Sequence, residues 1–236
     1  MSAATLRPNG LVIAIDGPSG AGKSTITRLL SKRIGYLYLD TGAMYRAVAL
    51  AAKRAEVSPD DDDALAAVCR EAAISFVRTD GCCHVFLNGE DVSTAIRTPE
   101  ISLLTSKVSA KKPVRDIMTR HQRELGKDGG VIVEGRDIGT VVFPDADLKF
   151  FLSASAEERG KRRYLELKAK GENISLEETI AAVAQRDEQD ARREHSPLRR
   201  ADDAIDIDSS GLSIDEVVAL MEEKIKEKLK EVNGKR

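Results

Sequence analysis

Short apolar runs alternate with amphipathic stretches along most of this chain. Leu11-Val12-Ile13-Ala14-Ile15, Leu37-Tyr38-Leu39, Val131-Ile132-Val133, Leu148-Lys149-Phe150-Phe151-Leu152 and Ala204-Ile205-Asp206-Ile207 each predict a short strand. Between them, residues 25–34, 42–55 and 217–229 carry apolar positions at helical spacing. Ser155-Ala156-Glu157-Glu158, Ser175-Leu176-Glu177-Glu178 and Ser213-Ile214-Asp215-Glu216 have the pattern of a capping box before a helix. Strands joined by helices predict an α/β fold, a parallel sheet flanked by helices. The middle of the chain differs. The run Asp60 to Asp63 precedes a helical stretch over 64–72, where acidic residues complement the helix dipole. Ile74-Ser75-Phe76-Val77 and His84-Val85-Phe86-Leu87 follow, with turn signals at Thr79-Asp80-Gly81 and Asn88-Gly89. Antiparallel strands fit poorly inside a parallel core and predict a β-rich insertion over residues 60–110. Residues 11–59 and 111–236 then form the core, all within one unit. No internal repeat, low-complexity tract or linker interrupts it.

Composition narrows the classes. The chain has 236 residues, 42% hydrophobic and 32% charged, enough to bury a sizeable core. A net charge of −2 and scarce aromatics argue against a nucleic-acid partner. No segment approaches membrane-spanning length, and 1–10 lacks the pattern of a signal peptide, so no membrane partner is expected. Cys69, Cys82 and Cys83 fit no metal spacing and predict thiols in a reducing cytoplasm.

The chemistry begins at Gly17-Pro18-Ser19-Gly20-Ala21-Gly22-Lys23-Ser24, which matches G-x-x-x-x-G-K-[ST] between a predicted strand and a predicted helix. Such a loop turns backbone N–H groups and a helix N-terminus toward phosphate oxygens. Lys23 can reach the outer phosphates and Ser24 can ligate Mg²⁺. This is a P-loop NTPase-type core, and several classes of it remain open. An Asn-Lys-x-Asp guanine motif is absent. Val131-Ile132-Val133-Glu134 loosely matches the acidic strand end of transport and motor ATPases. A metabolic kinase instead needs arginines for a second anion, and Arg46, Arg136, Arg186 and Arg193 are available. Arg159, Lys161, Arg162 and Arg163 form either a solvated helix face or a lid over phosphates, about residues 155–172.

Beyond the phosphate loop, the chain resembles the bacterial-type cytidylate kinases, a family of nucleoside monophosphate kinases. The resemblance rests on residues 15–24, on Leu39-Asp40-Thr41-Gly42-Ala43-Met44-Tyr45-Arg46, on 92–100, on Val114-Arg115, on residues 134–144 and on Arg186-Asp187-x-x-Asp190-x-x-Arg193. It implies an ATP- and Mg²⁺-dependent kinase for CMP and dCMP, monomeric, with an enlarged monophosphate-binding insertion and a short helical lid. Gly17 to Thr25 would bind ATP, with Mg²⁺ at Ser24. Lys23, Arg46, Arg136, Arg162 and Arg193 would act on charge during transfer. Thr41, Arg46, Ser106, Arg115, Arg136, Asp137, Arg186, Asp190 and Arg193 would bind the acceptor. Within that set, Ser106, Arg115 and Asp137 would read cytosine and Asp190 the sugar hydroxyls. Glu134 stands where aspartate is also common, and Ser24 where some members have glycine. A UMP or mixed-pyrimidine kinase, or a phosphate-loop switch without transfer activity, are the competing readings.

Overall fold

In a computed structural model, which describes residues 8–79, 82–169 and 171–234, the alternation becomes a five-stranded sheet and a separate three-stranded one. The large sheet has the order β2 (Leu37–Asp40), β6 (Val131–Gly135), β1 (Val12–Asp16), β7 (Leu148–Ser153), β8 (Ile205–Asp208). β1 pairs in parallel with β6 and β7, and β7 with β8. Every residue of β1 and β6 is buried, as expected for central strands covered on both faces.

The chain divides into two compact units. The first contains the segments up to Leu37 and from Asp128 onward; the second is Tyr38–Lys127. The second unit is wider on both sides than the 60–110 insertion read from the pattern, and its first boundary falls inside β2.

In the first unit, α1 (Lys23–Ile34) and α8 (Ile214–Asn233) pack together on one core. Ile13, Ile15, Leu30, Ile132, Phe150 and Met221 meet there. Burying side chains of this size stabilises by about 1.5–3 kcal/mol each. α6 (Ala156–Ala169) lies against α7 (Leu176–Ala191). Capping boxes at Ser175 and Ser213 close completely. The one expected at Ser155 closes by half. Its hydroxyl accepts from the Glu158 N–H, but its own N–H donates to Ser210 Oγ and the Glu158 carboxylate turns to Lys161.

The second unit packs α2 (Thr41–Arg54) against α3 (Asp62–Glu71), α4 (Pro99–Val108) and α5 (Lys112–Gly126). Alanines 43, 47, 49 and 52 let α2 bury most of its surface. Asp61 caps α3, with Asp62 and Asp63 in its first turn, as the acidic run predicts. β3 (Ile74–Thr79), β4 (Cys82–Leu87) and β5 (Glu90–Asp91) form the small antiparallel sheet. Asn88 and Gly89 both have positive φ, 51° and 83°, which a two-residue hairpin turn requires. Of the turn expected at Thr79-Asp80-Gly81, Asp80 and Gly81 lie outside the described residues, as does Lys170 of the expected lid. No described helix is long and apolar enough to cross a membrane.

Candidate active site

The phosphate loop leaves β1 after Asp16, turns through residues 17–22 and enters α1, so the helix begins at Lys23 rather than at Thr25. Gly17, Gly20 and Gly22 all have positive φ, and a Cβ at Gly17 would lie 2.0 Å from the Leu152 carbonyl oxygen. Only glycine fits that approach to β7. Lys23 is buried and its Nζ donates to the Gly17 and Pro18 carbonyls at 2.7 Å each. Burial and the nearby Arg136 charge push its pKa down to about 7, against the pull of Glu134 and Asp16.

Ser24 donates from Oγ to Glu134 Oε1 at 2.7 Å. A hydroxyl and a buried carboxylate so close are hard oxygen ligands and suit Mg²⁺. Among the described residues there is no group of three or more His, Cys, Asp or Glu arranged for a metal ion.

After β6 the chain turns through Arg136 and Asp137 into a π-helical turn, Ile138–Val142. Asp16, the last residue of β1, pins that turn. Its two carboxylate oxygens accept from the Ile138 and Gly139 N–H groups at 2.8 and 2.7 Å. Burial pushes the Asp16 pKa up to about 6 despite these bonds. Sequence reasoning missed Asp16 as a support of this turn; its position just ahead of Gly17 was the only signal.

Asp190, on α7, is buried and gripped from two sides. Arg136 Nε donates to one oxygen at 2.8 Å, and Arg193 Nη2 lies 2.5 Å from the other. Burial works to raise its pKa, but the charges of Arg136 and Arg193 outweigh it and hold the carboxyl below its usual range. This is no surface ion pair on a solvated helix. The spacing of Arg186 and Asp190 suggests a pair one turn apart, yet the carboxylate is held by Arg136 and Arg193, with Arg186 contributing through its charge.

The basic residues of α6 differ in their surroundings. Lys161 pairs with Glu157 and Glu158, and Arg163 with Glu166, on an exposed face. Arg162 donates to the Ser209 hydroxyl and carbonyl at 3.2 and 2.8 Å, and its Nη1 lies 3.9 Å from where a Gly22 Cβ would stand. Arg159 is buried.

In the second unit, Asp40 caps α2 by accepting from the Ala43 N–H at 2.8 Å, and Thr41 is buried at the start of the helix. Arg46 Nη2 lies 3.3 Å from Asp40 Oδ2. Its Nε is buried without a hydrogen-bond partner among the described residues, and such a group is ordinarily satisfied by water, an ion or a ligand. Arg115 on α5 is buried, donates to the Ser109 carbonyl at 3.1 Å and lies over the Tyr45 ring at 5.4 Å. Ser106 is half-buried on α4, its Oγ 3.4 Å from the Ser102 carbonyl, and Asp137 of the first unit is buried.

Comparison with known proteins agrees with this chemistry. The cytidylate kinase family model matches residues 13–227. A cytidylate kinase of Geobacter sulfurreducens is 66% identical over 99% of this chain and 100% of that protein. One from Caldicellulosiruptor bescii is 50% identical over 87% of this chain and 91% of its own. Among solved structures, an uncharacterised protein from Eubacterium ventriosum shares the fold at a TM-score of 0.50 and 13% identity, covering 92% of this chain and 98% of that one. The match of family model and relatives over nearly the whole length shows that this chain belongs to the cytidylate kinase family.

Proposed function

We propose that this kinase transfers the γ-phosphoryl group of ATP to CMP and dCMP, forming the diphosphates. One observation carries the reading. An arginine cluster, Arg136 and Arg193 around Asp190, lies close enough to the phosphate-loop lysine for Arg136 to depress its pKa. Two polyanions side by side need such an arrangement. The attacking oxygen belongs to the acceptor phosphate and is anionic at neutral pH, so no strong general base is required. Lys23 leaves its two carbonyls for the donor's outer phosphates. Ser24 and Glu134 would hold Mg²⁺, which would supply charge neutralisation when bound. Arg136, Arg193 and Arg162 stabilise the charge that spreads during transfer. The catalytic work is positioning and neutralisation.

For the acceptor, Arg46 brings its unpartnered Nε to the phosphate, beside Thr41. Asp137 and Ser106 accept from the cytosine amino group, and Arg115 donates to the ring. Uracil reverses the polarity at those atoms, and leaving one buried group unpaired costs about 1–3 kcal/mol. Asp190 and Arg186 serve the sugar end. The enzyme acts as a monomer in the cytoplasm.

A coupled ADP-release assay over a nucleotide panel tests this. CMP and dCMP should turn over with ATP and Mg²⁺, and UMP far more slowly. Faster turnover of UMP would make it a different pyrimidine kinase, and ATP consumption independent of any acceptor would make it a phosphate-loop hydrolase or switch.

A further inference from the structure

Ser19, in the middle of the phosphate loop, is held by both of its backbone groups. Its carbonyl accepts from Arg159 Nη1 at 3.0 Å, and its N–H makes a longer bond, 3.4 Å, to Asp187 Oδ1. The other Asp187 oxygen is paired with the same Arg159 Nη1. Arg159 Nε in turn donates to the Ala154 carbonyl at 2.8 Å, which fixes the guanidinium to the end of β7. The loop also leans on Arg159 directly. A Cβ at Gly20 would lie 3.1 Å from Arg159 Cβ and 3.2 Å from its carbonyl oxygen.

The two holders come from different helices, and a tight approach sets their spacing. A Cβ at Gly160, the next residue of α6, would lie 2.3 Å from Ile180 Cγ1 and 2.9 Å from Ile180 Cα. Ile180 and Asp187 are two turns apart on α7, so they share a face. Close packing at Gly160 therefore brings Asp187 to Arg159.

We infer that Asp187 and Arg159 are positioning residues of the phosphate-donor site, a clamp through which the α6–α7 pair fixes the Ser19 peptide and aims the loop's later N–H groups at phosphate. The inference rests on the reading that this loop takes a nucleoside triphosphate. Neither residue needs to touch the donor. Positioning and charge make opposite predictions for Asp187→Ala. Removing a carboxylate beside an anion site tightens anion binding if charge alone matters. Removing a clamp loosens it.

Binding of ATP and of inorganic tripolyphosphate to the full-length protein, with the Michaelis constant for CMP alongside, decides between them. Asp187→Ala should weaken both polyphosphates by about tenfold, with the CMP constant within about twofold. Asp187→Asn keeps an acceptor for the Ser19 N–H and should recover part of the loss; it also carries the test if the alanine variant does not fold. Unchanged or tighter binding overturns the inference. So does a loss confined to ATP, because tripolyphosphate has no base and the residue would then be acting at the nucleoside. Lys23→Ala runs in parallel. If it too leaves both affinities intact, the phosphate-loop reading fails and the clamp with it. If Lys23→Ala abolishes binding while Asp187→Ala changes nothing, only the clamp fails.

Discussion

Lys23 holds its ammonium against two carbonyls of its own loop, in a buried place beside Arg136. A folded pKa near 7 lies below the unfolded value of 10.5, so between those limits the unfolded chain carries a proton the folded one lacks. Stability of the nucleotide-free protein should therefore rise with pH across that window; the cost is complete below about pH 7 and relieved toward 10.5. Urea unfolding at pH 7 and pH 9 should show this gain, and Lys23→Met should flatten it. Nucleotide phosphates restore the charge, so ATP binding at pH 8 should take up a proton, visible as buffer-dependent heat in calorimetry. Heats independent of buffer would contradict it. Asp190 makes a second expectation. Its oxygens hold Arg136 and Arg193 in place, so Asp190→Ala should raise the Michaelis constants of CMP and dCMP alike, by about tenfold or more, since pairing a buried charge is worth about 1.5–3 kcal/mol. An effect on CMP alone would tie the residue to the 2′-hydroxyl. The phosphate loop and the arginines were legible in the chain as residue types at motif spacing. Their partners were not: nothing local in Asp190 announces Arg136, 54 positions away.

Among the elements, central strands were the easiest to read, because burial on both faces leaves uninterrupted apolar runs. α4 and α5 are harder to see. α5 is rich in charged residues and buries Arg115 and Gln122 beside Val114, Ile117 and Met118. The π-helical turn at Ile138–Val142 is apolar enough to pass for a strand; the Asp16 carboxylate bends it by claiming two successive N–H groups. The packing of α6 on α7 invites an element-level test. Gly160→Ala must displace the Ile180 backbone as well as its side chain, so it should destabilise by about 1–3 kcal/mol. Ile180→Ala, which removes the Cγ1 but leaves the close approach of the Cα, should therefore cost less in the Gly160→Ala background than in the wild type. Thermal melts of the single and double variants would show the coupling, and strict additivity would refute it.

At the scale of the molecule, a net charge of −2 hides a strongly positive locality. Its two compact units, each with a core of its own, were not legible either, since the boundary inside β2 interrupts no apolar run. Arg136 and Arg193 share one carboxylate, and Arg186 adds its charge to the same place. Any small tetrahedral dianion suits such donors, whatever is attached to it. Common laboratory buffers and precipitants belong to that class. Inorganic phosphate or sulfate at tens of millimolar should compete with CMP, raising its apparent Michaelis constant in proportion to concentration while leaving the maximal rate unchanged. Rates compared between Tris and phosphate at equal pH and ionic strength would reveal it. A chain that purifies as a mild acid would then behave, to its surroundings, as an anion sponge.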